Sequence, residues 1–241
     1  MTSPDDDIYE PGFVGRLFDD MSASYGMTNL VSSFGFCRRW RRQTVEGISL
    51  RPDQTIVDMM TGMGECWRFL SRPVAGDVRI IGIDISADMC RRARRQLSAV
   101  AARSIEVRHV DALDSGLSAA TADAVVASFG LKTFSPTQTV VLSRELWRLL
   151  KPGGAFSFVE ISLPSSPLLR WPFVFYLRYV IPLIGRLMLG NPDNYRMLAI
   201  YTERFGEGAH VVQALTQQGF RVRSEPLFFG CARRIAGTKP A

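Results

Sequence analysis

From residue 55 onward, short apolar runs alternate with longer stretches in which apolar residues recur every three or four positions. Thr55–Asp58, Arg79–Asp84, Ile105–Val110, Ala122–Ser128 and Ala155–Glu160 are short and largely aliphatic, so they read as strands buried on both faces. The periodic stretches near 64–73, 87–101 and 137–150 read as helices. Such alternation predicts a doubly wound, Rossmann-like α/β fold around a mostly parallel sheet. Two late segments, near 221–228 and 230–236, would complete seven strands at one edge. Residues 10–48 read as N-terminal helices, and the aromatic stretch 165–205 as a helical insertion after the fifth strand. The expected organisation is a single domain. It comprises a helical cap (1–48), a ligand-binding core (49–162), a helical lid (163–206), and a C-terminal helix with edge strands (207–241).

In such sheets the ligand sits beyond the carboxyl ends of the strands. Residues 58–65, 84–89, 111–112, 128–133 and 160–162 meet that condition. Gly62-x-Gly64 follows the first strand, starting from Asp58, and opens a helix, where small residues let backbone amides approach a ligand. A dinucleotide loop would carry a third small residue at 67, and that position is Trp67. The pattern therefore favours a nucleoside ligand without a pyrophosphate. Asp84 ends the second strand and can accept both ribose hydroxyls; its alternative role is to cap the next helix. Met89 can cover an adenine face or fill the core. Asp111 can accept from an exocyclic amine while the Ala112 amide donates to a ring nitrogen, unless Asp111 is a plain loop acid. An acid-lined, phosphate-free pocket suits S-adenosylmethionine, with its sulfonium and ammonium, better than NAD or ATP.

Bulk properties narrow the classes further. The chain has 241 residues, 46% hydrophobic and 22% charged, which suits one globular α/β unit. Four scattered cysteines with no C-x-x-C pair predict neither a metal centre nor a disulfide framework and fit a reducing cytoplasm. The acidic N-terminus lacks the apolar core of a signal peptide. The net charge of +6 is concentrated in Arg38, Arg39, Arg41 and Arg42 and in Arg91, Arg92, Arg94 and Arg95. Without an element to read bases, these clusters predict solvated helix faces and no nucleic-acid partner. The most apolar stretch, 168–189, is interrupted by Arg170, Arg178, Arg186, Pro172 and Pro182, so a membrane span is not expected. It reads first as a lid over an apolar substrate, then as a homodimer patch, and last as a peripheral membrane contact.

Several longer motifs resemble the UbiE/MenG/Coq5 family, which C-methylates ubiquinone and menaquinone precursors. Tyr25-Gly26-Met27-Thr28-Asn29, with Ser33, Gly35, Cys37 and Trp40, is similar to the family's Y-D-x-M-N followed by S, G, H and W. Phe129-Gly130-Leu131-Lys132-Thr133 resembles F-G-L-R-N, and Arg148–Gly154 with Glu160-Ile161-Ser162 resembles R-V-L-K-P-G-G with E-x-S. Val180–Gly185, Asp193–Ala199 and Gly219-Phe220 resemble the later V-L-P-x-I-G, D-S-Y-R-Y-L-A and A-G-F motifs. The resemblance, covering about 13–237, implies a class I methyltransferase fold. It also implies cofactor contacts from Gly62, Met63, Gly64, Asp84, Asp111, Ala112 and Ser128, with Tyr25 closing over the methionine end. Asn29, Cys37, Phe129, Tyr176 and Tyr195 are the expected acceptor contacts, and the acceptor is expected to be a small apolar aromatic or polyketide-like molecule. Cys37 replaces the family's His, Gly26 and Thr28 replace its Asp and Met, Lys132-Thr133 replaces Arg-Asn, and the tail Gly230–Ile235 lacks G-x-V-A-L-H-R. These departures lie near the expected substrate mouth and suggest a different acceptor.

Carbon methylation requires a hydroxyl proton to leave so that the neighbouring carbon becomes nucleophilic. Glu160, at the fifth strand's end, is the first candidate base. Lys132 is the second, as base or as stabiliser of a phenolate. His109 and His210 sit where a structural role is expected. The residues leave open an O- or N-methyltransferase, a cyclase or isomerase that uses the sulfonium without transferring methyl, and a binding module that retains the fold.

Overall fold

The five apolar runs pair side by side. In the computed structural model, which describes residues 7–71, 78–97, 104–188 and 191–241, they form β1 (Thr55–Met59), β2 (Arg79–Asp84), β3 (Ser104–His109), β4 (Ala122–Ser128) and β5 (Leu150–Ile161). All five are parallel, and β6 (Arg221–Leu227) and β7 (Ala232–Thr238) add antiparallel pairings, giving the order β3-β2-β1-β4-β5-β7-β6. The chain runs outward from β1 to β3 and then restarts on β1's other side with β4. A crevice therefore opens at the carboxyl ends of β1 and β4.

Alternation along each strand divides the core into two layers. Val57, Met59, Ile81 and Ile83 face one side, where Leu142 and Leu146 of α6 (Pro136–Leu149) cover them. Ile56, Ile80, Ala124 and Val126 face the other, against Trp67 and Leu70 of the short α4 (Trp67–Leu70) and against Val45. The helix expected over 87–101 is α5 (Ala87–Gln96), capped by Ser86 Oγ accepting from the Met89 amide at 3.1 Å; residues 98–103 lie outside the described residues, as do 72–77 beyond α4. Ser135 and Gln138 close a capping box on α6. That helix runs straight into β5, which starts at Leu150, five residues earlier than its apolar pattern indicates. A register shift between Ala122 and Ala124, with Gly153 at φ 75°, absorbs the Pro-Gly-Gly segment there.

Three N-terminal helices, α1 (Pro11–Met21), α2 (Tyr25–Ser32) and α3 (Phe36–Glu46), cover the carboxyl ends of the strands. α1 is fastened to α5 by Asp19 Oδ1, which accepts from Ser86 Oγ at 2.6 Å and from the Asp88 amide at 2.9 Å. After β5 come α7 (Pro167–Phe175), a π-helical turn over Tyr176–Val180, α8 (Ile181–Leu187) and α9 (Pro192–Phe205), then α10 (Ala209–Gln217). Pro167–Leu187 is one unbroken 21-residue helical run whose most apolar 18-residue window has mean hydropathy 1.2, long and apolar enough by length and composition to cross a membrane. The helical insertion expected over 165–205 contains this run, whose arginines and prolines interrupt its apolar character without ending the helix. The π turn lies between Pro172 and Pro182, where missing N–H groups loosen the regular ladder.

Candidate active site

The crevice is built from the strand ends upward. β1 ends into Met60-Thr61-Gly62-Met63-Gly64, in which Met60 (φ 53°), Gly62 (φ 57°) and Gly64 (φ 81°) take left-handed conformations. The turn is held by Asp58, which accepts from Thr61 Oγ1 at 2.5 Å, and by Asp84, which accepts from the Gly62 amide at 2.7 Å. Asp84 also accepts from the Ser86 amide at 2.9 Å, while the helix cap itself is Ser86. The carboxylate of Asp84 therefore remains on the wall of the crevice rather than serving as that cap. Trp67 is fully buried, its ring filling the space where a Cβ on Gly64 would stand at 2.4 Å and touching Gly82 as well. This packing explains how a large residue replaces the third glycine: it props the turn from beneath.

The crevice encloses about 850 Å³ including its mouth and is lined by Tyr25, Asp58, Gly62, Asp84, Met89, Asp111, Ala112 and Ser128, all expected at the cofactor. Met63 and Gly64 do not line it. Met63 is buried toward α2, its methyl 2.9 Å from where a Cβ on Gly26 would be, and Gly64 turns onto Trp67. The same contact accounts for Gly26, since a side chain there would strike Met63. Asp111 accepts from the Leu113 amide at 2.9 Å, and Ser128 Oγ lies 2.9 Å from Thr44 Oγ1 and 3.3 Å from Cys66 Sγ.

Glu65, at the end of the expected loop 58–65, also lines the wall, as do Tyr9, Phe18 and Arg41, which sequence reasoning missed. Arg41 was expected on a solvated face. Instead it is buried, donating to Glu65 Oε1 at 2.9 Å with its guanidinium 5.2 Å from the Phe129 ring centre. Burial is the largest influence and opposes its charge, but Glu65, with smaller contributions from Cys66, Tyr25 and Cys37, together holds the guanidinium above its ordinary pKa. Burial pushes Asp58 up to about 7 and Asp84 up to about 6, with Glu65's charge adding to both. The lining thus carries four acids, Asp58, Glu65, Asp84 and Asp111, against one arginine that is already paired. A ligand with hydroxyl donors, net positive charge and no phosphate fits these donors and acceptors.

A second cavity, of about 720 Å³ including its mouth, shares Tyr25 and Phe129 with the first. It holds every residue expected at the acceptor: Asn29, Cys37, Phe129, Tyr176 and Tyr195. Most of the remaining wall is apolar, from Trp40, Ile161, Phe173, Leu177, Ile181 and Leu198. Two of its phenols are already engaged. Tyr195 OH donates to Thr28 Oγ1 at 3.1 Å and lies 2.8 Å from Ser24 Oγ, and Tyr176 OH donates to the Ser32 carbonyl. Thr28, one of the departures from the resembled motif, receives the Tyr195 hydroxyl. Burial raises the Tyr25 phenol above its usual pKa, with Asn29 opposing.

Lys132 and Glu160 meet each other. Lys132 Nζ lies 2.6 Å from Glu160 Oε1, and Glu160 also accepts from the amides of Lys132 (3.2 Å) and Ile161 (2.8 Å). Both are buried, but only Lys132 lines the second cavity. His109 contacts the Ile85 carbonyl at 2.9 Å, and burial lowers the pKa of His210; neither lines either cavity.

The comparisons agree with this architecture. The profile of the ubiE/COQ5 methyltransferase family matches residues 5–239. The demethylmenaquinone methyltransferase of Lactiplantibacillus plantarum is 30% identical over 230 residues, 95% of this chain and 96% of that protein. Its namesake in Deinococcus radiodurans is 32% identical over 94% of this chain and 92% of that protein. Among solved structures, a putative methyltransferase in complex with the Haloferax volcanii Trm112 activator superposes with a TM-score of 0.63 at 17% identity, covering 93% of this chain and 98% of that one. A SAM-dependent methyltransferase from Aquifex aeolicus gives 0.58 at 16% identity, over 82% of this chain and 88% of that one. These two likenesses bear on the fold alone. With the family profile spanning nearly the whole chain and an acid-lined crevice at the switch point, the chain belongs to the ubiE/COQ5 methyltransferase family and is an S-adenosylmethionine-dependent methyltransferase.

Proposed function

We propose that the protein C-methylates an apolar quinol of the demethylmenaquinol type, bound in the second cavity. The observation that carries the reading is the apolar cavity that shares Tyr25 and Phe129 with the cofactor crevice and has one buried cation, Lys132, on its wall. The relatives named demethylmenaquinone methyltransferase support the same acceptor class. S-adenosylmethionine supplies a methyl group already activated by its positive sulfur. The protein's task is then to orient the acceptor and to favour its anionic form. Lys132 Nζ donates one hydrogen bond to Glu160 and has two to offer an acceptor oxygen, which stabilises the phenolate left when the hydroxyl proton passes to solvent and makes the adjacent carbon nucleophilic. Once methylated, that carbon releases its own proton to solvent and the ring regains aromaticity. Glu160 acts through Lys132, as a positioning residue and charge partner. This reverses the order in which the sequence ranks them.

The test is product analysis. Incubation with methyl-labelled cofactor and a reduced, short-tailed demethylated naphthoquinol is expected to give label on a ring carbon, resistant to ether cleavage. Label on oxygen would replace C- by O-methylation, and absence of label would remove the acceptor class. Lys132→Gln is expected to lower kcat by about a hundredfold while leaving calorimetric cofactor affinity unchanged.

A further inference from the structure

Three exposed apolar features lie on segments that line or adjoin the second cavity. The helical run Pro167–Leu187 gives Phe173, Tyr176, Leu177 and Ile181 to the cavity. Its other face leaves Leu168 (86% exposed), Trp171 (75%), Phe175, Tyr179, Leu183 and Leu187 in solvent, at three- and four-residue spacing. Only 17% of its most apolar window is buried. Because the opposite face is occupied by the cavity and by packing against α9 and α2, only this outer face is open to a partner.

The second feature is the tip between α2 and α3. Tyr176 OH donates to the Ser32 carbonyl, which pins that tip beside the helix. Phe34 follows, 83% exposed and held in a left-handed conformation at φ 49°. The third is Phe228-Phe229, also left-handed (φ 45° and 57°), with Phe229 77% exposed and the Phe228 ring 4.4 Å from that of Phe36. Left-handed backbone is costly for bulky residues, and here it holds three phenylalanine rings toward solvent.

Charge identifies the occupant. No acidic residue occurs between Asp20 and Glu46 or between Glu160 and Asp193, yet these stretches carry seven arginines. Arg178 is neutralised by Glu203, whereas Arg38, Arg39 and Arg186 are exposed and make no ion pair among the described residues. Arg39 flanks the same notch as Phe228 and Phe229. The acids that border this face are already paired, Glu203 with Arg178 and Glu207 with Arg170, so a two-fold contact between copies would set its unpaired arginines against one another. An anionic surface with an apolar interior complements both its charge and its rings.

We propose that this face docks on an anionic lipid bilayer. Trp171, Phe175 and Phe34 enter the headgroup boundary, and Arg38, Arg39 and Arg186 meet lipid phosphates. An acceptor dissolved in the bilayer then reaches the second cavity laterally. The docking rests on the reading that this cavity takes an apolar acceptor, but its test does not depend on turnover.

The full chain is mixed with vesicles of phosphatidylglycerol and phosphatidylcholine in a one-to-three ratio and followed by sedimentation. Trp171 fluorescence, with brominated lipids as quencher, reports insertion. Binding is expected, about tenfold weaker on phosphatidylcholine alone and weakened by salt. The W171E/F175E double variant is expected to lose vesicle affinity by about tenfold or more. It should keep wild-type turnover of a short-tailed acceptor in buffer, since neither residue lines a cavity. Phe34→Gly relieves the left-handed strain, so its melting temperature should hold or rise while vesicle affinity falls. Failure of the wild-type chain to sediment with anionic vesicles overturns the proposal. So does a wild-type dimer in light scattering that the double variant splits, which would assign the face to a second copy. Vesicle binding without turnover of any quinol would instead remove the acceptor reading and leave the docking in place.

Discussion

Asp84 joins two strands to the cofactor crevice through one carboxylate, and its protonation sets a pH limit. Burial lifts it to about 6 and its neighbour Asp58 to about 7; Glu65 pushes both upward, while the Ser86 and Gly62 amides and His109 favour ionised Asp84, and Thr61 favours ionised Asp58. Hydroxyl donors and a positively charged ligand favour the ionised forms, so binding should expel protons below about pH 7. Calorimetric affinity for S-adenosylmethionine is expected to rise from about pH 5 to about pH 7.5, with heats that depend on the buffer's ionisation enthalpy. A flat profile would show that neither carboxyl changes state on binding. For the cofactor-free protein the sign is opposite. The folded chain keeps protons that the unfolded chain loses above about pH 4, so these two groups contribute less stability as pH rises toward 7. Asp84 was legible because a strand end has a fixed place in a parallel sheet. Arg41 was not, because its neighbours Arg38, Arg39 and Arg42 carry the same charge and only packing decides which one turns inward.

At the scale of elements, the lid is held by close contacts between helices. A Cβ on Gly185 of α8 would fall 2.3 Å from the Tyr195 ring of α9, so the two helices pack through the missing side chain. Tyr195 in turn ties α9 to α2 through Thr28 and Ser24. Gly185→Ala is expected to push α8 away, costing about 1–3 kcal/mol in urea unfolding. It should also raise KM for the acceptor several-fold. Cofactor affinity should not change, because neither helix lines the first cavity. A rise in the cofactor Kd would instead mean that the two cavities are mechanically coupled. The existence of this insertion was legible from its aromatic composition. The π turn between Pro172 and Pro182 was not, since no local pattern of apolar spacing marks it.

The whole molecule is a rigid sheet with an N-terminal cover. Asp19 fastens α1 to α5, Gln138 Nε2 donates to the Tyr9 carbonyl at 2.9 Å, and Arg41 on α3 reaches Glu65 in the loop after β1. Tyr9, Val14 and Phe18 face the cofactor crevice, so filling it should brace the cover from beneath. Amide hydrogen exchange in α1 is therefore expected to slow about tenfold or more when S-adenosylmethionine is added, while the central strands change little. Equal protection everywhere would indicate global stabilisation only.

The sequence by itself determined the alternation of strands and helices, the strand ends that carry Asp58, Asp84 and Asp111, and the exclusion of a dinucleotide by Trp67. These follow from periodicity and from the fixed geometry of parallel β–α units, which depend on near neighbours along the chain. Only the tertiary structure decided that Lys132 lines the second cavity, paired with Glu160, and that Arg41 is buried. It also decided that Tyr176 of the Pro167–Leu187 helix meets the Ser32 carbonyl and that Phe228 packs against Phe36. Those relations join residues far apart in sequence, and their burial and pairing are set by packing, which no local pattern encodes.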